Sequence, residues 1–340
     1  MKTLRMELGE RSYDITVGNG LLSHAGEYFN LKRKVFILTD EGVPKEYSEK
    51  LLSCCKEGKI YTVAQGEGSK SVATFEKVLS EMLEMGLSRK DALVSVGGGV
   101  VGDLGGFAAA SYMRGIDFYQ VPTTLLSQVD SSIGGKCAIN LCSTKNVVGA
   151  FYQPKGVLID TETLKTLSPR LVSAGLAESI KMALTSDREL FCMLEREALG
   201  EDNIEDIIVR SLMIKKSVVE EDEKESGLRK ILNFGHTLGH GIEAQGEKVG
   251  LYHGECVALG MLPMCSDSVR ERLASILKKA NLPTDYDYDL DLALDFVIHD
   301  KKCHGGMLDV ITVSEVGSCD IEHMTVDDFR KTVKERIKRI

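Results

Sequence analysis

Apolar and polar residues alternate from the start of the chain. Residues 4–8 and 13–17 carry the alternation on either side of Gly9-Glu10-Arg11-Ser12, and this predicts an opening hairpin. Short apolar runs then recur between longer segments. Residues 34–39 (KVFILT), 59–63, 92–96 and 117–121 predict strands. Residues 44–55, 72–85 and 107–113 predict helices, the second with apolar residues at helical spacing. This βαβα order predicts a parallel sheet with helices on both faces, and residues 158–160 predict its last strand. From about Ser168 the pattern changes. Residues 171–185, 188–198, 204–221, 236–245, 257–280 and 290–299 all predict helices. A strand pair, 307–313 and 318–321, precedes a basic helix from Thr325. A domain boundary is therefore expected between Asp160 and Ser168.

Composition narrows the function classes. A chain of 340 residues that is 43% hydrophobic has ample material for a sizeable core, divided between two domains or held in one large one. A net charge of −9 argues against nucleic acid and against an anionic membrane surface as partners. No apolar run reaches the length of a membrane span, and the opening MKTLRMELGE does not read as a signal peptide. The nine cysteines are scattered and include no CxxC pair. They read as reduced thiols, not as a disulfide frame or a Cys-type zinc site, so a cytoplasmic location is expected.

Three stretches carry candidate chemistry. Gly97-x-Gly99-x-x-Gly102 follows a strand and opens a helix, and its glycines would let backbone N–H groups approach a pyrophosphate. Asp117 lies twenty residues beyond the first glycine but begins a strand, whereas Asp40 ends one and is the better ribose or adenosine candidate. Residues 128–149 hold Asp130, Gly134-Gly135-Lys136 and Lys145-Asn146, without the spacing of a nucleoside triphosphatase loop. Three of the seven histidines, His236, His240 and His253, fall within 232–255, flanked by Asn233 and Glu255. His236 and His240 share a helix face, and a second helix could aim His253 at the same point, as a zinc site requires. HTLGH lacks the glutamate of the metalloprotease HExxH, so peptide hydrolysis is not indicated. Glu178 and Lys181 lie three apart on one helix face, which fits a surface ion pair as well as a site. Taken singly, Lys215, Arg229 and Asn233 are equally ordinary. As a set, these residues would suit a small, multiply anionic substrate beside a dinucleotide and a metal.

The segments GGGVVGDLGGFAAASYMRGI, VPTTLLSQVDSSIGGK, KNVVGAFYQPKGVLIDTETLKTL, AGLAESIK, GLRKILNFGHTLGHGIEA and LYHGECVALGM occur in that order. The chain thereby resembles the 3-dehydroquinate synthases of the shikimate pathway, over nearly its whole length. The resemblance implies an α/β N-terminal dinucleotide-binding (Rossmann-like) domain, residues 1–164, plus an all-α C-terminal metal-binding domain, residues 165–340. Because the histidines fall in the helical half, the catalytic cleft is expected between the two. It implies zinc, with cobalt as the alternative, on Glu178, His236 and His253, and makes His240 a substrate-facing residue. NAD would be held by Asp40, Glu67, Lys70, Gly98, Gly99, Asp103, Thr123, Thr124 and Thr166, with Lys136 and Lys145 beside it. The substrate would meet Asp130, Lys136, Asn146, Lys181, Lys215, Arg229, Asn233 and His240, together with Lys301 or Lys302. Arg114 would reach the neighbouring subunit's site, which implies a homodimer.

The implied reaction turns 3-deoxy-D-arabino-heptulosonate 7-phosphate into 3-dehydroquinate and phosphate. NAD would serve catalytically, and zinc as a Lewis acid. One departure stands out. Where the family has His-Pro and a Gly before Lys-Asn, this chain has Leu141-Cys142-Ser143-Thr144, which changes the loop carrying Lys145 and Asn146. The other readings are a different sugar-phosphate cyclase such as a 2-deoxy-scyllo-inosose synthase, a metal-dependent NAD polyol dehydrogenase, or a non-catalytic nucleotide-binding relative.

Overall fold

The computed structural model describes residues 1–142, 144–197, 199–200, 202–301 and 306–337, apart from the side chains of 247 and 298–301. The chain forms two compact units, Met1–Leu167 and Ser168–Ile340.

The first unit is built on a seven-stranded sheet of order β1-β2-β9-β6-β5-β3-β4. Its strands are β1 (Lys2–Met6), β2 (Tyr13–Gly18), β3 (Lys34–Asp40), β4 (Glu57–Val63), β5 (Ala92–Gly97), β6 (Asp117–Pro122) and β9 (Gly156–Asp160). β1 and β2 form the expected antiparallel hairpin, and every other pairing in the sheet is parallel. β5 is buried throughout and β3 nearly so, as strands covered on both faces must be. The period of two sorts their side chains into two cores. Phe36, Leu38 and Leu93 join one, and Val35, Ile37, Ala92 and Val94 join the other. The short helix α1 (Ala25–Tyr28) and α2 (Lys45–Ser53) contribute to the second core, while α3 (Val72–Glu84) and α4 (Gly99–Ser111) contribute to the first.

One feature of this unit was not expected from the sequence. Residues 136–151 form an antiparallel hairpin, β7 (Lys136–Leu141) and β8 (Thr144–Phe151), not a loop. Its inner face packs Cys137 and Ile139 into the same core as α4. Side chains at Gly105 and Gly106 would collide with Ser95 Oγ and Cys137 Sγ, so α4 lies close against both the sheet and the hairpin.

The second unit is helical apart from one hairpin. Its helices are α5 (Pro169–Ser186), α6 (Arg188–Arg196), α7 (Ile204–Glu221), α8 (His236–Glu243), α9 (His253–Met261), α10 (Asp267–Lys279), α11 (Leu290–Lys301) and α12 (Val326–Ile337). The expected strand pair is present as β10 (Met307–Glu315) and β11 (Ser318–Thr325). α5 is the central element, buried at every position from Ser173 to Thr185. The single helix expected over 257–280 is in fact two, α9 and α10, with the tight turn Leu262–Met264 between them. Pro263 cannot donate its amide to a continuing helix. The chain is further held open there by Ser266 N–H donating to the Val313 carbonyl at 2.9 Å. No described helix is long and apolar enough to cross a membrane. The eight described cysteines are free thiols.

Candidate active-site residues in the two units

In the first unit the glycine-rich turn joins β5 to α4, with Gly98 as the N-cap and Gly99 opening the helix. Asp40 ends the neighbouring strand β3, and Thr123-Thr124 follow the other neighbour, β6. The strand order turns back between β3 and β5, and ligands of such sheets lie beyond the carboxyl ends at that place. A helix N-terminus with unpaired amides also favours an anion there. A side chain at Gly98 would crowd Thr124 Cγ2 at 3.1 Å, and Thr123 N–H donates to the Gly97 carbonyl at 3.0 Å, so the turn sits directly against Thr123-Thr124. Asp40 is nearly buried, and burial raises its carboxyl pKa against the opposing Gly42 N–H bond of 2.7 Å. A cavity of about 210 Å³ beside it is lined by Thr39, Asp40 and Ser48 among others, and the Thr39 and Ser48 hydroxyls inside it lack partners. Asp117 is accounted for structurally, because Arg33 Nη1 donates to its Oδ2 at 2.6 Å.

Lys70 is 4% exposed and donates to Asp103 Oδ2 at 2.6 Å and to Asn146 Oδ1. Glu67 lies one turn away, 3.8 Å from the Lys70 ammonium. Thr166 shares a hydroxyl bond of 3.0 Å with Tyr47. Asp130 sits in the wide helical turn Ser127–Ser131, Lys136 opens β7, and Lys145 lies on β8. Arg114 occupies the left-handed turn that ends α4, at φ 67°.

In the second unit, α5, α7, α8 and α9 bring together the residues that the sequence scatters. Glu178 is fully buried, with its Oε1 3.6 Å from His236 Nε2 and 3.5 Å from His253 Nε2. Neither Glu178 oxygen accepts a well-directed hydrogen bond, and the Lys181 ammonium is in ion-pair contact with Oε2. The Glu178–Lys181 pair is thus buried and not a surface pair. Each histidine has its other nitrogen engaged. His236 Nδ1 meets the Phe234 carbonyl at 3.1 Å, and His253 Nδ1 meets Glu243 Oε2 at 3.0 Å. That outer bonding leaves both Nε2 atoms free to act as ligands, aimed at the same carboxylate.

The charge states follow from these contacts. Burial outweighs the pull of Glu178 on His236 and lowers its pKa to about 3. Burial also opposes charge on His253, but the neighbouring Glu178 and Glu243 carboxylates prevail and raise its pKa to about 10, so a cation would bind there by displacing the Nε2 proton. Burial works against ionised Glu178 too, yet Lys181 and the imidazoles hold its carboxyl well below the usual range.

A carboxylate buried without good donors and facing two oriented imidazoles is a donor set for a divalent cation. Glu178, His236 and His253 form one such group, and His240, Glu243 and His253 a second. The bond from Glu243 to His253 Nδ1 favours the first, with Glu243 as the supporting carboxylate.

The anion-binding candidates of this unit lie on neighbouring elements. Lys215 on α7 is 6% exposed and Arg229 is 2% exposed. Arg229 and Asn233 belong to the turn Leu228–Asn233 that leads into α8. Asn233 Nδ2 donates to Glu225 Oε1 at 2.6 Å. Glu255 has a different role. Arg170 clamps it in bidentate fashion at 2.7 and 2.8 Å, and it caps Tyr252 N–H at 2.7 Å. Lys302 and the Lys301 side chain lie outside the described residues. Asn140, Asp222 and Glu243 were not singled out from the sequence. Only their side-chain bonds mark them, and no spacing rule would have found them.

Comparison with known proteins gives the family and the fold. Sequence models of the 3-dehydroquinate synthase N-terminal and C-terminal domains match residues 60–174 and 175–303. The 3-dehydroquinate synthase of Clostridium acetobutylicum is 43% identical, covering 98% of this chain and 99% of that one. A crystal structure of 2-deoxy-scyllo-inosose synthase with carbaglucose-6-phosphate, NAD+ and Co2+ superposes with a TM-score of 0.87 at 27% identity, over 98% of this chain and 100% of that one. The 2-epi-5-epi-valiolone synthase of Streptomyces hygroscopicus, solved with NAD+ and Zn2+, gives 0.87 at 26% identity, over 98% and 99%. The fold is that of the sugar-phosphate cyclases. Within that class the chain belongs to the 3-dehydroquinate synthase family, and it is an enzyme with that family's activity.

Proposed function

We propose that the conversion of 3-deoxy-D-arabino-heptulosonate 7-phosphate to 3-dehydroquinate runs on the residues described above, with zinc on Glu178, His236 and His253. The observation that carries this reading is the buried Glu178 carboxylate facing two imidazole Nε2 atoms at 3.6 and 3.5 Å. When bound, NAD would accept and return a hydride, and the metal would polarise the oxygen on the carbon being oxidised. The α4 N-terminus, Thr123, Thr124 and Asp103 would hold the dinucleotide, and Asp40 its adenosine side. Lys215, Arg229 and Asn233 would orient the substrate's carboxylate through charge-assisted bonds. Lys136, Lys181 and His240 would meet further polar groups, with Asp130 and Asn146 as the first unit's remaining contacts. The substrate's own phosphate is the expected base, so the protein's main work is to hold one conformer in place. A homodimer with Arg114 completing the neighbouring site, and a cytoplasmic location, belong to the same proposal.

Arg229 favours this substrate over a polyol. A guanidinium only 2% exposed is suited to a carboxylate, and a polyol has none to offer. The protein should therefore release phosphate from the heptulosonate phosphate with NAD undepleted, and ignore glucose 6-phosphate and glycerol. His236→Ala should stay folded while losing both bound metal, read by elemental analysis, and phosphate release. Stoichiometric NADH with glycerol, or full activity in a metal-free His236→Ala protein, would defeat the proposal.

A further inference from the structure

Asn140 sits at a break in register. Ile139 pairs with Val148 and Leu141 with Thr144, so residues 145–147 of β8 oppose Asn140 alone. Extra residues make a strand bulge, and bulges re-aim side chains. Here the bulge holds Asn146 at φ 54°, a left-handed conformation that Asn tolerates better than most residues. Asn140 Oδ1 accepts the Asn146 backbone N–H at 2.8 Å. Its Nδ2 donates to Glu67 Oε1 at 2.8 Å, and its own backbone N–H donates to the Lys70 carbonyl at 2.7 Å. Lys70 closes the ring by donating to Asn146 Oδ1. Only one orientation of the Asn140 amide satisfies both an N–H and a carboxylate, and it is the one observed. A cavity of about 430 Å³ opens beside this ring, bordered by Glu67, Lys70 and Asn140.

We infer that Asn140 is a positioning residue that couples the cofactor segment, Glu67 to Lys70, to the substrate residue Asn146. The inference rests on the proposed assignment of Glu67 and Lys70 to NAD and of Asn146 to substrate. It also explains how the hairpin keeps Asn146 in place although the tip, 141–144, departs from the family pattern. Asn146 is anchored by Asn140 and Lys70.

The test uses the zinc-loaded protein, with NAD affinity from calorimetry and steady-state kinetics on the heptulosonate phosphate. Asn140→Ala should weaken NAD binding and raise KM, each by about tenfold, the scale of a hydrogen bond to a charged group. kcat should fall less. Asn140→Asp keeps the acceptor for Asn146 but sets a second carboxylate against Glu67. It should therefore lose more NAD affinity than Asn140→Ala while raising KM less. Adding Glu67→Gln to Asn140→Asp restores a donor and should recover part of the NAD affinity. General loosening of the hairpin would not produce that crossed pattern. Parental NAD affinity and KM in Asn140→Ala, or a loss of thermal stability alone in both variants, would overturn the inference. If the parent protein bound no NAD, or Asn146→Ala kept its KM, the underlying assignment would fall and the inference with it.

Discussion

The Asp222 carboxylate collects the loop that presents Arg229. Its Oδ1 accepts the backbone N–H and the hydroxyl of Ser226, and its Oδ2 accepts the N–H groups of Gly227 and Arg229. The Gly227 and Ser226 amides are the main reason its carboxyl pKa lies well below the ordinary value. A depressed carboxyl contributes stability above its unfolded pKa of about 4 and loses it as pH falls through the folded value. Asp222→Asn should therefore lower the denaturant midpoint at pH 7 and make a smaller difference near pH 2, where the unfolded carboxyl is already protonated and the advantage of the depressed folded value is shrinking. An equal deficit at both pH values would show that the charge is not what matters. At this scale the sequence was a partial guide. Spacing singled out the cluster of His236, His240 and His253, whereas Glu178, Lys215 and Arg229 are ordinary residues taken singly and entered the candidate site only through the family resemblance. Asp222, Asn140 and Glu243 act through the orientation of a single bond each or a few, which no spacing encodes.

Between elements, the site depends on how closely α5 and α9 approach. A methyl group at Gly254 would overlap the Ala174 carbonyl, so the two helices touch backbone to backbone next to His253. Arg170 fastens the same end by clamping Glu255. Gly235 adds a second constraint, since its φ of 76° starts α8 and a side chain there would strike Met261. Gly254→Ala should force α5 and α9 apart at an overpacking cost of roughly 1–3 kcal/mol. Metal content should fall together with the melting temperature, because His253 moves away from Glu178. A Gly254→Ala protein with full metal occupancy would show that the contact does not set the site. The strongly periodic elements were legible in the sequence, including the parallel strands and α7. The β7–β8 hairpin was not, because its register break interrupts the alternation that marks a strand.

At the scale of the whole chain, the cofactor candidates fall in Met1–Leu167 and the metal candidates in Ser168–Ile340. A ligand that binds only the folded state stabilises it by about 2.7 kcal/mol at a hundred times its Kd. Hydrogen exchange should therefore show chelation loosening α5, α8 and α9 while leaving the seven-stranded sheet unchanged, and NAD protecting the β5–α4 turn. Uniform loosening of both units on chelation would contradict this division. The sequence by itself determined the order of the parallel strands and of the strongly periodic helices, the two-part organisation and the family's motif residues, because hydrophobic period and residue type are local properties. Tertiary structure alone decided that Glu178 and Lys181 are buried and that Asn146 rides on a bulge. Each depends on what packs against the segment from elsewhere in the chain, and burial, unlike periodicity, is set by those distant neighbours.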